Sequence, residues 1–452
     1  MTPASRRFVD HALATEWGDL APATQAAART FLHDTLAVGI AGRNAPFADA
    51  TFAAAERWSG AGGTGLVLGR PHARLTTPHA AFVNAYQIHA QEFDCVHEPA
   101  VAHPMASIGA VLLAEAGRSP VSGADFLAAM VGGVDVMAAL GVAVRGPLKF
   151  FRPATAGIFG AIAALCRLRR LSPEVATNAF GYGLAFASGT MQAHVEGKPT
   201  LAIQVAGAAR SAIEAVDLAA AGLEGPQGSI DGPFGYLALF EDDVDLAPVL
   251  AQLGTVRRIE ELSWKPFPSG RAAHGAIIAL RELIAAHGIT PDTLARFTYR
   301  APPLIHRLVG RRPVAGMSVA YARLCFAWLG AVVLTRGTLG LADFTPERLS
   351  DPALLALADR IHVEIDDNPD AAAFVPAIGT VTLDTGEVFS RTVTRQFGSP
   401  EWPLSRTEHL AKAARCLDFG GMAEAHDRLT MLIDDLASAS DVAAALGAVL
   451  ES

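Results

Sequence analysis

Between His89 and Pro104 the sequence reads His-Ala-Gln-Glu-Phe-Asp-Cys-Val-His-Glu-Pro-Ala-Val-Ala-His-Pro, the densest polar cluster in an otherwise apolar chain. Three imidazoles (His89, His97, His103) and three carboxylates (Glu92, Asp94, Glu98) sit there within fifteen residues. Histidine beside carboxylate is the usual equipment for general acid–base chemistry near neutral pH. The plain alternative is a capped loop whose buried histidines are merely satisfied. A metal site is the rival chemistry, with His89, His97 and His103 as ligands of a hydrolase, but the spacing matches no HExxH-type pattern.

Two further clusters carry charge that such a centre needs. In His194-Val-Glu-Gly-Lys198, an extended backbone would send His194, Glu196 and Lys198 to one side; a solvated loop between helices is the alternative. In Trp264-Lys-Pro-Phe-Pro-Ser-Gly-Arg-Ala-Ala-His274, Pro268-Ser269 starts a helix with Arg271 and His274 three apart. A helix N-terminus flanked by Lys265 and Arg271 suits an anionic group, unless it is an ordinary cap with exposed cations. Lysine is scarce: only Lys149, Lys198, Lys265 and Lys412 occur among 36 basic residues, so a retained ammonium raises a question of purpose. Gly60-Ala-Gly-Gly-Thr-Gly65 satisfies GxGxxG, but a helix precedes it and a strand-like Leu66-Val-Leu68 follows. That is the reverse of a dinucleotide site.

The elements that must hold these clusters are mostly helices. Apolar residues recur at helical spacing over Ala23–Ile40, His79–Phe93, Pro104–Ala116, Ala124–Val144, Thr155–Leu168, Pro173–Met191 and Ile203–Ala221. The helix from His79 would put His89 and Glu92 on one face before breaking into a loop that Pro104 ends. After about residue 253 strand patterns appear at Arg296–Ala301, Ile361–Ile365, Gly379–Leu383 and Val388–Val393. The last two flank the turn Asp384-Thr-Gly386. Helices at 271–287, 317–335 and 346–358 separate them, and from 406 the pattern is helical again. The fold class is therefore mainly α with an α+β second domain: residues 1–252 and 406–452 all-helical, 253–405 α+β.

Composition narrows the function classes. A chain of 452 residues that is 51% hydrophobic can bury a large core, which excludes wholesale disorder. A net charge of −9 argues against a phosphate backbone as partner. Four dispersed cysteines suggest neither a disulfide framework nor zinc and fit a reducing cytoplasm. Asp10 and Glu16 interrupt any leader-like start. The charge-free stretch from Val175 to Val195 contains Asn178, Gln192 and His194 and reads as a buried helix with a loop, so no membrane partner is expected.

Taken in order, these clusters resemble the MmgE/PrpD family of 2-methylcitrate dehydratases and cis-aconitate decarboxylases, which also includes an iminodisuccinate epimerase. The residues carrying the resemblance are Thr35-Leu-Ala-Val-Gly, Asn84-Ala through Glu92-Phe-Asp94 with His103-Pro104, Ala156-Gly-Ile-Phe-Gly-Ala161, Ala208-Ala-Arg210 and Gly225-Pro. Lys265-Pro-Phe-Pro-Ser269 with His274, and Ser318-Val-Ala-Tyr321, complete the set. The resemblance implies a large helical domain with a smaller α+β lid, a homodimer, a small-molecule carboxylate substrate and no metal or organic cofactor. It also implies a catalytic set of His103, Asp94, Glu92, His274 and Tyr321, with Lys198, Lys265, Arg152, Arg271 and His97 binding substrate. The sequence departs from the pattern at Glu92, Cys95-Val96, Arg152 and Gly270, which bears on the substrate.

The chemistry implied is removal of a proton next to a carboxylate, giving a dianion that fixed cations such as Lys198, Lys265, Arg152 and Arg271 would stabilise. His103 or a carboxylate would be the base, and His274, Glu92 or Asp94 the acid. Dehydration, decarboxylation and epimerisation remain open on the residues. The resemblance puts a 2-methylcitrate dehydratase-like hydro-lyase acting on a di- or tricarboxylate first. A carboxylate-binding protein without activity is the non-enzymatic alternative.

Overall fold

Helices that are apolar on every face can only be covered by other helices, and two such helices form the centre of this chain. Pro104–Ala116 is buried at every position, and Gly123–Val142 at all but three. Gly123–Val142 is long and apolar enough to cross a membrane, but 89% of its apolar window is buried by the protein, as a core helix would be. It crosses Gly157–Leu168 at a glycine pair. A Cβ on Gly133 would lie 2.7 Å from the Gly160 carbonyl oxygen, and one on Gly160 would lie 2.8 Å from that of Gly133. The computed structural model describes residues 3–450.

Around this centre pack Pro22–Ala41, Thr77–His89, Pro173–Phe186 and Thr200–Ala220. Ser122 and Ser172 cap their helices by accepting from the amides of Asp125 and Val175. Several expected helices are shorter or broken. The one from His79 ends at His89, so Glu92 lies beyond it with a positive φ of 47° and does not share a helical face with His89. Pro173 onward ends at Phe186, and Gln192–Glu196 forms a separate short helix. That overturns the extended reading of His194 to Lys198. The 317–335 expectation splits into Val319–Ala322 and Phe326–Arg336.

The C-terminal region holds a four-stranded mixed sheet: β1 (Leu294–Ala301), β2 (Ile361–Ile365), β3 (Ala377–Leu383) and β4 (Val388–Val393), in the order β2-β1-β3-β4. β1 runs parallel to β2 with Phe297 opposite Ile361, and antiparallel to β3 with Phe297 opposite Val381. Helix accounts for 57% of the chain, which with this small sheet makes a large helical body and a small α+β part.

Two hydrophobic cores correspond to these parts. One gathers residues from Ala4 to Leu262 and again from Ala413 to Leu446, with Leu324 and Leu341 joining from across; the other runs from Phe267 to Val393. The two chain crossings between them lie side by side, with the Trp264 amide donating to the Gly398 carbonyl at 2.8 Å. Gly398 has φ 92°, and a Cβ there would come within 2.6 Å of the Trp264 carbonyl oxygen.

The returning helix Arg406–Phe419 packs on Pro22–Ala41 through polar groups as well as apolar ones. Trp264 Nε1 donates to His409 Nδ1 at 3.2 Å, His409 Nε2 lies 2.9 Å from His33 Nδ1, and His33 Nε2 lies 3.2 Å from the Thr430 hydroxyl. Burial, then the facing imidazole, pushes His33 down to about 3. Burial, then Lys412, does the same for His409. The folded state therefore refuses protons that the unfolded chain accepts below pH 6.5, and stability falls with pH from there towards 3. Each histidine contributes a slope of at most about 1.4 kcal/mol per pH unit. Urea midpoints between pH 7 and pH 4.5 should decline, and His409→Asn should flatten the decline; an unchanged slope would show that the pair is not responsible.

Candidate active site

The loop after His89 is held by its own backbone and by the first crossing segment. His97 and Ala102 exchange amide hydrogen bonds, and Val96 exchanges them with Ser263 at 3.0 and 2.8 Å. Asp94 and Lys265 are thereby carried on adjacent antiparallel chains. Pro104 then opens the next helix with His103 as its N-cap residue.

Asp94 is fully buried, and its Oδ2 lies 3.0 Å from both His89 Nδ1 and His103 Nδ1. The carboxylate accepts from both rings, which leaves Nε2 of His103 as the nitrogen free to meet a substrate. Burial disfavours charge on all three groups, but the two imidazoles hold the Asp94 carboxyl well below the usual range. The rings then diverge. His89 is raised, because burial is outweighed by Asp94, whereas burial dominates at His103 and lowers it. His103 is thus a neutral, oriented base beside a partner that holds its proton more tightly. Two groups pushed apart in this way are the mark of assigned acid and base roles.

Glu92 completes the centre. Its Oε2 lies 2.6 Å from Lys265 Nζ, with the Lys265 side chain fully buried. Burial opposes its ionisation, but Lys265 overcomes this and brings Glu92 down to about 2. Two cavities flank Glu92. One also touches His89, Lys198 and Ser318. The other lies between the two cores and touches His103, His194 and Arg271.

The remaining expected residues fall into two groups. Lys198 lines the first cavity, exposed, and its ammonium has no partner among the described residues. Arg271 lines the second. Its Nε donates to Glu98 at 2.8 Å and one NH group to the Phe397 carbonyl at 2.8 Å, while the other NH group has no partner among the described residues. His274 stands behind Arg271, its Nδ1 3.2 Å from that arginine. Burial, then Arg271 and Lys265, hold it neutral, well below the usual imidazole range.

Three residues are turned elsewhere. Arg152 grips Glu241 with two bonds of 2.9 Å and the Ala100 carbonyl with a third, so its charge is spent inside the helical core. His97 lies 2.7 Å from Glu261 and accepts from the Ala100 amide, which also separates it from the His89 and His103 set proposed for a metal. Tyr321 donates its hydroxyl to the Arg312 carbonyl at 2.8 Å, within its own α+β part. Among the described residues, the three groups placed to offer a cation one atom each are His89, Asp94 and His103, whose ligand atoms lie within 4.8 Å of one another.

Two further arginines, Arg323 and Arg311, had no distinct sequence signal. Arg323, fully buried, donates to the Gln91 carbonyl and side-chain oxygen and to the Pro268 carbonyl, so it ties the turn bearing Glu92 to the α+β part. Burial lowers it to about 9. Arg311 stands behind His194, which lines the second cavity, and donates to the His194 carbonyl at 2.8 Å. Lys412 does have a signal in the scarcity of lysine: buried, it pairs with Asp34 at 2.8 Å and donates to the Phe93 carbonyl at 2.9 Å, directly behind Asp94.

Comparison with known proteins gives consistent matches along the chain. Residues 6–248 match the MmgE/PrpD N-terminal domain and residues 267–436 the MmgE/PrpD C-terminal domain. The human cis-aconitate decarboxylase is 28% identical over 358 residues, covering 76% of this chain and 73% of that protein. The mouse protein of the same name is 26% identical over 361 residues, covering 76% and 72%. A cis-aconitate decarboxylase-like protein of Aspergillus oryzae, oryM, is 28% identical over 372 residues, covering 76% of each chain.

Proposed function

Since the chain belongs to the MmgE/PrpD family, we propose that it is a cofactor-independent lyase that acts on a small carboxylate by taking a proton from the carbon next to the carboxyl group. The observation carrying this reading is the sharing of Asp94 by His89 and His103, with the two rings pushed in opposite directions. Nε2 of His103 accepts the proton, and the C–H electron pair moves into the carboxylate as a dianion. Lys265, held at Glu92 and with a charge felt at His103, supplies fixed positive charge. In a hydro-lyase the pair then returns to form the double bond as a β-hydroxyl leaves, protonated, as water.

Decarboxylation is the second reading, supported by the names of the relatives. It uses the same centre in the opposite sense: carbon dioxide departs without its C–C electron pair, Lys265 stabilises the carbanion left behind, and a protonated His103 delivers a proton to that carbon. Incubation in deuterium oxide with citrate, 2-methylcitrate, cis-aconitate, succinate-type acids and 3-hydroxy monocarboxylic acids of four to eight carbons separates the two. Dehydration creates a double bond seen by ultraviolet absorbance, and decarboxylation releases carbon dioxide and leaves deuterium at carbon. If no acid changes, the reaction assignment fails. A stoichiometric divalent ion on purified protein, lost when His89 is replaced, would instead favour the metal-dependent hydrolase.

A further inference from the structure

We propose that the interdomain cavity takes an acid with one carboxylate and an apolar body of several carbons, rather than a compact polycarboxylate. This rests on the lyase reading for the reacting end of the substrate, and concerns what the rest of that substrate looks like.

The walls carry the argument. Apart from Glu92, His103, His194 and Arg271, the side chains facing this cavity are apolar, Val96, Leu148, Phe151, Met191, Leu308 and Leu324 among them. A second carboxylate seated among them would lose its water and gain no donor in return, and that cost falls on polycarboxylates alone. An alkyl or aryl body placed there would be removed from water with no such loss.

Cation supply points the same way. Lys265 is committed to Glu92, Arg152 to Glu241 and Arg271 to Glu98. What Arg271 retains is one buried NH group without a partner among the described residues, enough to hold one carboxylate oxygen. Lys198 is uncommitted but lines the other cavity, across Glu92. Arg311 and Arg323 favour an anion through their charge, yet neither lines this cavity. Gly270 lets Leu324 close this wall: a Cβ there would meet Leu324 Cδ2 at 2.7 Å, so any larger residue would push that apolar side chain aside.

Unreactive probes test this independently of turnover. Calorimetric titration compares octanoate, octanedioate and propane-1,2,3-tricarboxylate, and then the series from butanoate to octanoate. Octanoate should bind at least tenfold more tightly than either polyacid, and affinity should rise about three- to fourfold per methylene until the cavity is filled. Leu308→Trp and Met191→Trp, two independent ways of filling the space, should flatten that rise. Tighter binding of the tricarboxylate, no dependence on chain length, or a rise that both variants leave unchanged would each overturn the proposal. Because the probes have no leaving group, these results stand whether or not the lyase reading survives its own test.

Discussion

Replacing His103 by Asn should lower kcat by about a hundred- to ten-thousand-fold, the range expected for loss of a positioned general base. Asparagine keeps the polar character at the cavity wall but cannot take a proton, so octanoate should still bind. Asp94→Asn makes the sharper comparison. The amide cannot accept from both rings through a charged oxygen, and the wrong imidazole tautomer costs about ten-thousand-fold in comparable carboxylate–imidazole pairs. Since burial lowers His103, the acid limb of kcat/KM should also lie below the ordinary imidazole value of 6.5. An Asp94→Asn protein that turns over normally would remove the base from His103.

Lys265→Met should reduce both stability and activity. The ammonium is fully buried against Glu92, and deleting one partner of such a pair costs about 3–5 kcal/mol by leaving the other charge unpaired. Glu92 is ionised above about pH 2 only with Lys265 beside it. Without that cation its carboxyl prefers to be neutral, so the deficit should shrink as the buffer is made more acidic. Glu92→Gln in the same chain should restore much of the denaturation midpoint but none of the activity, which is expected to fall about a hundred- to a thousandfold when a charge-stabilising donor is lost. Full activity in the refolded double variant would show that Lys265 is structural alone.

Much of this arrangement is legible in the sequence because it is local. The His89–His103 cluster, the proline that ends it and the Lys265–Ser269 segment are short and unusual against an apolar background. Helices at Pro104–Ala116 and strands at Ile361–Ile365 and Val388–Val393 match their patterns residue for residue. The extended reading of His194–Lys198 fails because five residues between two longer helices close a turn of their own instead. Arg152 and His97 look like substrate ligands until Glu241 and Glu261 are seen beside them. Those partners lie 89 and 164 residues away, and spacing along the chain carries no trace of them. Arg323 is the reverse case, one arginine among many until burial and Gln91 single it out. Lysine scarcity points to the buried Lys265 and Lys412 but equally to the exposed Lys198, so it flags chemistry without sorting it.

The hydrogen bond from Lys412 to Phe93 spans 319 residues. During synthesis the loop bearing Asp94 leaves the ribosome long before the ammonium that braces it, and Asp34 waits equally long for its counter-ion. A nascent chain stopped short of Lys412 can collapse around its apolar helices yet must keep this loop unbraced, so competence waits until the segment bearing that ammonium has been made.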